Sequence, residues 1–268
     1  MSFFSGKVVI VTGSSNGIGR GTAVLFSKEG AKVAITGRDP ATLEETKQLC
    51  LQAGANEDGI LDLIGDVTDA SFIEKLVAAT VEKFGQIDVL VNNAGGASFS
   101  GFGKGVMDTP LAEFDKMIEL NVKSVLRLSQ LAVPHLVKTK GAIVNVSSIA
   151  AFHEISPMPY YSVAKSALDQ ATVQMAGCLI KEGVRVNSVN PGPVLTNAFA
   201  TAGASTDQQD KMFSTRLPTI PLGRIGTPLD IGKLILFLAD RSQSEILIGH
   251  ILTADGGCHL KSAMFPEA

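Results

Sequence analysis

The chain has 268 residues, of which 45% are hydrophobic and 18% are charged, and its net charge is −3. This balance is typical of a compact globular protein and excludes a disordered or fibrous one. The basic residues are dispersed, so a surface for nucleic acid or anionic membrane is not expected. The three cysteines, Cys50, Cys178 and Cys258, lack the spacing of metal ligands, so we expect reduced thiols, no bound metal and a reducing compartment.

The first residues, MSFFSGKVVIVTG, predict no signal peptide, because Gly6 and Lys7 interrupt the apolar stretch too early. Further along, no apolar run approaches the length of a membrane-spanning helix. We therefore expect a cytoplasmic protein that does not associate with membranes.

Short β-branched segments alternate with longer helical patterns along the chain. Strands are predicted at 7–12, 32–36, 60–65, 87–92, 141–147, 184–189 and 250–255. The first, KVVIVT, is apolar throughout, as expected of a parallel strand that is buried on both faces. We predict a single α/β domain over 1–268, with a doubly wound (Rossmann) parallel sheet of seven strands flanked by helices. A TIM barrel is the alternative, but it requires regular βα units all the way round and does not explain the first turn.

A glycine-rich turn, TGSSNGIG at 12–19, joins the first predicted strand to the first helix. Gly13, Gly17 and Gly19 are not spaced as G-x-G-x-x-G, but they meet a similar physical requirement. Glycine lets the backbone approach a pyrophosphate, and a helix N-terminus supplies unpaired N–H groups and the positive end of a dipole. A P-loop is excluded, because no Lys-Ser or Lys-Thr pair follows. The turn favours a dinucleotide site, although such glycines are often purely structural.

The stretch PYYSVAK at 159–165 contains both tyrosines of the chain. Tyr161 and Lys165 are four residues apart and share a helix face, whereas Tyr160 diverges from the lysine. An ammonium group beside a phenol is expected to lower the phenol pKa from about 10. A tyrosine of this kind can exchange a proton near neutral pH, as ketone reduction or alcohol oxidation requires. An isolated pair is more often a plain surface contact, so the motif depends on its context.

The context is a series of motifs in a defined order. NNAG at 92–95 follows the glycine-rich turn, IVNVSS ends at Ser148, thirteen residues before Tyr161, and NPGPVLT occupies 190–196. With these motifs the chain resembles the short-chain dehydrogenase/reductase family over nearly its whole length, and in particular its little-characterised animal members. The loop after Ser148, IAAFHEISPMP, departs from the family pattern.

The resemblance implies four catalytic residues. Tyr161 matches the proton donor and acceptor, and Lys165 matches the residue that lowers its pKa and holds the nicotinamide ribose. Ser148 matches the hydroxyl that binds the substrate oxygen, and Ser147 is the alternative at a less usual interval. Asn121, in ELNVKS, matches the asparagine that helps to hold the lysine and a proton-relay water. Without the resemblance, Asn121 would be interpreted as ordinary helix surface or a backbone brace.

The resemblance also implies a site for a nicotinamide dinucleotide. Its expected contacts are Gly13, Ser15, Asn16, Gly17, Ile18, Gly19, Arg38, Asp66, Val67, Asn93, Ala94, Gly95, Tyr161, Lys165, Pro191, Gly192, Val194 and Thr196. Asp66 matches the aspartate that meets the adenine amino group, with the backbone of Val67 assisting. Alternatively, Asp66 is the N-cap of the helix that DVTDASF opens.

The stretch ITGRD at 35–39 predicts that the cofactor is NADP(H). An NAD enzyme usually has an acidic residue at the tip of the second strand to bind the ribose hydroxyls, and here Gly37 occupies that position. Arg38 can bind a 2′-phosphate through two charge-assisted hydrogen bonds, unless it is an ordinary solvated arginine. Asp39 lies one position late and is expected to cap the helix that begins with Pro40.

These inferences together predict an NADP(H)-dependent oxidoreductase that interconverts a small-molecule carbonyl and a secondary alcohol by hydride transfer. The alternatives are an NAD(H)-dependent member of the same family and a non-catalytic dinucleotide-binding regulatory protein. An epimerase-like enzyme is disfavoured, because only a short tail follows the last strand. The segment 196–222 lacks strand periodicity and is predicted to form a mobile lid. The small residues of 162–177 and the resemblance predict a homotetramer or, failing that, a dimer.

Overall fold

The computed structural model describes residues 2–98, 105–153, 158–196, 214 and 217–260. The strands are β1 (Val8–Val11), β2 (Lys32–Gly37), β3 (Ile60–Ile64), β4 (Val89–Asn92), β5 (Ala142–Val146), β6 (Arg185–Pro191) and β7 (Ile251–Ala254). The helices are α1 (Gly17–Lys28), α2 (Pro40–Gln52), α3 (Ala70–Phe84), α4 (Leu111–Ile118), α5 (Ser124–Thr139), α6 (Pro159–Leu179), α7 (Pro228–Ala239) and α8 (Arg241–Ser244). Each predicted strand is confirmed to within a few residues at its ends.

All of these strands are parallel and form one sheet in the order β3-β2-β1-β4-β5-β6-β7. From β1 the chain proceeds outwards to β3, returns to β4 beside β1, and then proceeds outwards in the other direction. The predicted doubly wound fold is confirmed, and an open sheet with β3 and β7 at its edges excludes a closed barrel. Ligands of such sheets bind at the carboxyl ends of the strands, where the strand order reverses.

Hydrophobic cores cover both faces of the sheet. In β1, Val9 and Val11 face a core that includes Phe26 of α1, whereas Ile10 faces a second core that includes Leu76 of α3. Because successive residues of a strand point to opposite faces, a strand between two cores is apolar at every position. Burying each such side chain stabilises the fold by about 1.5–3 kcal/mol. This packing holds the carboxyl ends of the strands rigidly in place.

The predicted start of α2 is also confirmed. The Asp39 carboxylate accepts a hydrogen bond from the backbone N–H of Thr42 at 2.8 Å, and Pro40 occupies the first turn. These contacts hold the pKa of Asp39 below its ordinary value.

Most of the predicted lid, 197–213 with 215 and 216, lies outside the described residues. Of its described part, Leu217–Thr219 forms a 3₁₀ turn and Ile220 is buried.

None of the helices in the described part of the chain is both long and apolar enough to cross a membrane.

Candidate active site

The predicted site residues lie at the carboxyl edge of the sheet. The glycine-rich turn follows β1, Gly37 ends β2, Asp66 follows β3, Asn93–Gly95 follow β4, Ser148 follows β5, and Gly192–Thr196 follow β6. Because parallel strands end at the same edge, the fold brings together residues that are far apart in sequence. These segments surround the point where the strand order reverses.

The glycine-rich turn packs directly against the segment after β4. A Cβ at Gly13 would lie 2.8 Å from the Cα of Ala94, and Gly13 has a positive φ of 62°. A Cβ at Gly19 would lie 2.3 Å from the carbonyl oxygen of Gly13 and 2.5 Å from Nδ2 of Asn93. Packing within the protein therefore requires these two glycines, with or without a ligand.

The N-terminus of α1 remains suited to an anion. Asn16 is its N-cap and has extended backbone, and among the described residues no side chain caps this terminus. Ile18, in the first turn of α1, is partly buried and packs against the core that includes Phe26. An uncapped helix N-terminus presents unpaired N–H groups and the positive end of the helix dipole, which is the arrangement that binds phosphate.

Two hydroxyl groups that sequence reasoning missed hold the ends of neighbouring strands together. Oγ1 of Thr12 accepts hydrogen bonds from the backbone N–H groups of Asn93 and Ala94, each at 3.0 Å. Oγ of Ser14 accepts one from the N–H of Thr36 at 2.8 Å. Both residues belong to the TGSS motif at 12–15. Hydroxyl residues directly after a buried strand are therefore the sequence feature that could have indicated these contacts.

Arg20 is a further residue that sequence reasoning missed. Its guanidinium donates to the carbonyl oxygens of Ser15 and Thr42, and so ties the glycine-rich turn to α2. Ser15 in turn lies against the tip of β2, because a Cβ at Gly37 would be 2.6 Å from Oγ of Ser15.

The tip of β2 presents Arg38, with the carboxylate of Asp66 beside it. The side chain of Arg38 is 67% exposed, and its Nη1 lies 3.7 Å from Oδ2 of Asp66. Asp39 is occupied as the cap of α2. An anionic group that enters here would therefore meet Arg38 without facing the carboxylate of Asp39.

Asp66 does not cap α3, so that alternative is wrong. The N-cap is Asp69, whose side chain accepts from the N–H of Ser71. Oδ1 of Asp66 instead accepts from the backbone N–H of Thr68 at 2.9 Å and closes a short turn, while Val67 beside it is buried. This turn leaves Oδ2 of Asp66 directed towards Arg38.

Ser148, Tyr161 and Lys165 meet where β5 ends against the first turns of α6. Ser148 lies close enough to Tyr161 to act on the pKa of its phenol. Nζ of Lys165 lies 5.6 Å from the centre of the Tyr161 ring and donates to the carbonyl oxygen of Val146 at 2.9 Å. A Cβ at Gly95 would lie 3.2 Å from the same Nζ, so the segment after β4 closes this side of the cluster.

Burial has the largest effect on the pKa values of Tyr161 and Lys165. It raises the pKa of the Tyr161 phenol above its ordinary value, although Ser148 acts in the opposite direction. Burial lowers the pKa of the Lys165 ammonium to about 8, and the Asp169 carboxylate opposes that change. In the chain by itself the pKa of Tyr161 is thus raised, and the predicted lowering of this pKa by Lys165 stays a prediction. Its Nζ contacts the Val146 carbonyl and lies against the ring, and desolvation of the phenol prevails.

Asn121 lies in a π-helical turn, Glu119–Lys123, between α4 and α5. Its Nδ2 donates to the carbonyl oxygens of Gly96 and Met117, at 3.0 and 3.1 Å, and its Oδ1 accepts from the N–H of Gly96 at 3.0 Å. The side chain thus braces the segment after β4, as the interpretation without the resemblance expected. Its predicted part in a proton relay stays a prediction.

The two neighbours of the predicted catalytic residues have structural contacts. Oγ of Ser147 is buried and donates to the carbonyl oxygen of Lys165, which leaves Ser148 as the candidate hydroxyl. The Tyr160 hydroxyl donates to the carbonyl oxygen of Thr109 at 3.0 Å. Tyr160 is therefore a packing neighbour that anchors the loop before α4, as predicted.

The predicted nicotinamide segment begins at Pro191, the last residue of β6. A Cβ at Gly192 would lie 2.5 Å from the Cβ of Asp255 after β7, so the segment passes close to the end of β7. Val194 forms a β-bridge with Gly226. At the end of the segment, Thr196 touches the glycine-rich turn, because a Cβ at Gly17 would lie 3.0 Å from its Cγ2.

Comparisons with known proteins agree with this architecture. The family model described as enoyl-(acyl carrier protein) reductase matches residues 13–259. An uncharacterized oxidoreductase of Thermotoga maritima is 36% identical over 255 residues, which cover 95% of this chain and 98% of that protein.

Two solved structures from Caenorhabditis elegans are similar as well. A short-chain dehydrogenase/reductase of unknown function, solved with cofactor, has a TM-score of 0.94 at 44% identity and covers 98% of both chains. A glucose dehydrogenase in the apo form has a TM-score of 0.83 at 45% identity, over 96% of this chain and 99% of that one. The fold and these relatives define the protein as a nicotinamide-dependent oxidoreductase. The chain belongs to the short-chain dehydrogenase/reductase family.

Proposed function

We propose that this protein reduces a carbonyl to a secondary alcohol with NADPH, and catalyses the reverse reaction with NADP⁺, using Tyr161 as general acid and base. The observation that carries the proposal is the cluster of Ser148, Tyr161 and Lys165. Ser148 acts on the pKa of the Tyr161 phenol, and the buried Nζ of Lys165 lies 5.6 Å from the centre of the tyrosine ring. A partly buried phenol beside a buried ammonium, at the edge where such sheets bind ligands, is suited to proton transfer.

The residues present fit a nicotinamide dinucleotide. The uncapped N-terminus of α1 suits a pyrophosphate, and the bare backbone at Gly13 and Gly19 allows close approach between the turn and Asn93. When bound, the cofactor supplies or accepts the hydride. Tyr161 and Lys165 are proposed to adjoin its nicotinamide ribose.

The chain's own residues supply the proton and the oxyanion contacts. The Ser148 hydroxyl orients the substrate oxygen and donates a hydrogen bond to it as negative charge develops. Tyr161 transfers its phenolic proton to that oxygen, and the positive charge of Lys165 stabilises the phenolate that remains. In alcohol oxidation, the proton returns from the alcohol oxygen to the tyrosine. Burial holds the pKa of Tyr161 above its ordinary value, so the phenol carries the proton that reduction requires at neutral pH.

Turnover with a substrate panel tests the function. We expect oxidation of NADPH, followed by its absorbance, with at least one member of a panel of ketosteroids, retinal, aliphatic ketones and β-ketoacyl thioesters. Sugars should be tested with NADP⁺, because a glucose dehydrogenase is among the similar structures. If NADPH binds, as measured by its fluorescence, but no turnover occurs in either direction, the non-catalytic alternative is favoured.

We further expect the protein to be a homotetramer or, failing that, a dimer. On α6, Val163 and Val173 are 45% and 41% exposed, and no atom of the described residues lies within 4 Å of where a Cβ of Gly177 would be. This face lets the backbone of a second helix approach closely. Val173→Glu should therefore lower the mass measured by sedimentation at micromolar concentration, because it places charge in the contact. The same substitution at the exposed Leu49 of α2 is the control, and a wild-type chain that is a stable monomer would contradict the expectation.

A further inference from the structure

A carboxylate lies one turn beyond the catalytic pair on α6. Tyr161, Lys165 and Asp169 are spaced four residues apart, so they follow one another along one face of the helix. Asp169 is half-buried, and a carboxylate in such surroundings requires polar partners. The proposed roles of Ser148, Tyr161 and Lys165 do not involve the Asp169 carboxylate.

The nearest partner of Asp169 is the buried amide of Asn190, and Oγ of Ser188 also donates to its Oδ1, at 3.5 Å. Nδ2 of Asn190 donates to Oδ2 of Asp169 at 2.6 Å and also donates to the carbonyl oxygen of Ser148 at 3.1 Å. Both hydrogens of the Nδ2 group are therefore engaged. Oδ1 of the same side chain accepts from Oγ of Ser188 at 2.9 Å, which fixes its orientation. One rigid amide thus connects Asp169 to the backbone of Ser148.

The charge of Asp169 acts on Lys165. Among the described residues, the groups that act on the Asp169 carboxylate are the neutral Ser147 at the end of β5, Ser188 and Asn190 of β6, and Lys165. Lys165 is the one charged group of this set. The carboxylate opposes the fall in the pKa of Lys165 that burial causes, so it favours the ammonium form.

We propose that Asp169 is a positioning residue of the active site, which holds Ser148 through Asn190 and supports the positive charge of Lys165. The inference rests on the proposed function of Ser148, Tyr161 and Lys165. Removal of the carboxylate loosens the backbone that carries the Ser148 hydroxyl. It also lets Lys165 lose its proton at lower pH, so the phenolate of Tyr161 has less support as it forms.

The test compares Asp169→Asn with Asp169→Ala in carbonyl reduction. For Asp169→Asn, which keeps the size of the side chain and an acceptor oxygen, kcat should fall by about tenfold, the effect of making one charge-assisted hydrogen bond a neutral one. The alkaline limb of its pH profile should move to lower pH, because the ammonium of Lys165 loses its stabilising charge. Asp169→Ala should lower kcat further, because it also removes the acceptor for Asn190. NADPH affinity, measured by fluorescence with no substrate present, should change by less than about twofold.

Two control variants distinguish the effect of the Asp169 charge from a general loss of charge or of network structure. Asp58→Asn removes an equal charge from an exposed site between α2 and β3 and should leave kcat and the pH profile as in the wild type. Ser188→Ala removes a neutral member of the network and should leave the alkaline limb in place. An unshifted limb in Asp169→Asn, or losses of activity that merely follow losses of thermal stability, would overturn the inference.

A further variant, Tyr161→Phe, distinguishes failure of the proposed function from failure of the inference about Asp169. If Tyr161→Phe keeps its activity, the proposed function itself is wrong, whatever the Asp169 variants do. If Tyr161→Phe is inactive and both Asp169 variants match the wild type, only the inference about Asp169 fails.

Discussion

Tyr161→Phe should lower kcat by at least about a hundredfold, the usual contribution of a general acid or base. The variant keeps the ring that packs against Lys165 and removes only the phenolic hydroxyl. Cofactor affinity should therefore change little, which titration of NADPH fluorescence would show. Steady-state kinetics with the best carbonyl of the panel would measure the loss.

Tyr160→Phe is the matched control, because it removes the same atom from the adjacent residue. Tyr160 is buried, and its hydroxyl donates to the carbonyl oxygen of Thr109 and not to the catalytic cluster. The variant should lose about 0.5–1.5 kcal/mol of stability, as expected for one hydrogen bond, while kcat stays close to that of the wild type. If Tyr160→Phe were the inactive variant and Tyr161→Phe the active one, the assignment of Tyr161 would be wrong.

Arg38→Ala should reduce kcat/KM for NADPH by about ten- to a hundredfold, because one charged hydrogen-bonding partner of the 2′-phosphate is removed. The same variant should use NADH about as well as the wild type does. Its stability should be nearly unchanged, because the 3.7 Å contact between Arg38 and Asp66 is an exposed ion pair. Arg38→Lys keeps the positive charge but cannot form the two parallel hydrogen bonds. Its kcat/KM for NADPH should lie between the values of the wild type and of Arg38→Ala.

A variant that reverses the cofactor preference requires two substitutions. An aspartate at Gly37 would suit the ribose hydroxyls of NADH, but its Cβ would lie 2.6 Å from Oγ of Ser15. Ser15→Gly together with Gly37→Asp should therefore favour NADH more than Gly37→Asp by itself. A wild-type enzyme that already prefers NADH, or an Arg38→Ala variant that loses both cofactors equally, would contradict the assignment to NADP(H).

The features that the sequence by itself determined depend on neighbouring residues along the chain. Uninterrupted apolar runs such as Val8–Val11 predicted strands buried on both faces, and the cores on the two sides of β1 account for that pattern. Asp39 followed by Pro40 predicted the start of α2, because a cap bonds to an N–H only a few residues away. The spacing of Tyr161 and Lys165 likewise predicted a shared helix face, which α6 provides.

Only the tertiary structure decided what lies beside these residues. It assigned the cap of α3 to Asp69 and directed Asp66 towards Arg38, because Asp66 closes a turn of its own. It also set the direction of the shift in the pKa of Tyr161 in the chain by itself, since desolvation depends on every segment packed around the phenol and not on the helix spacing. The contact between Asp169 and Asn190 joins residues twenty-one positions apart, from α6 and β6, and it exists only because these two elements pack together.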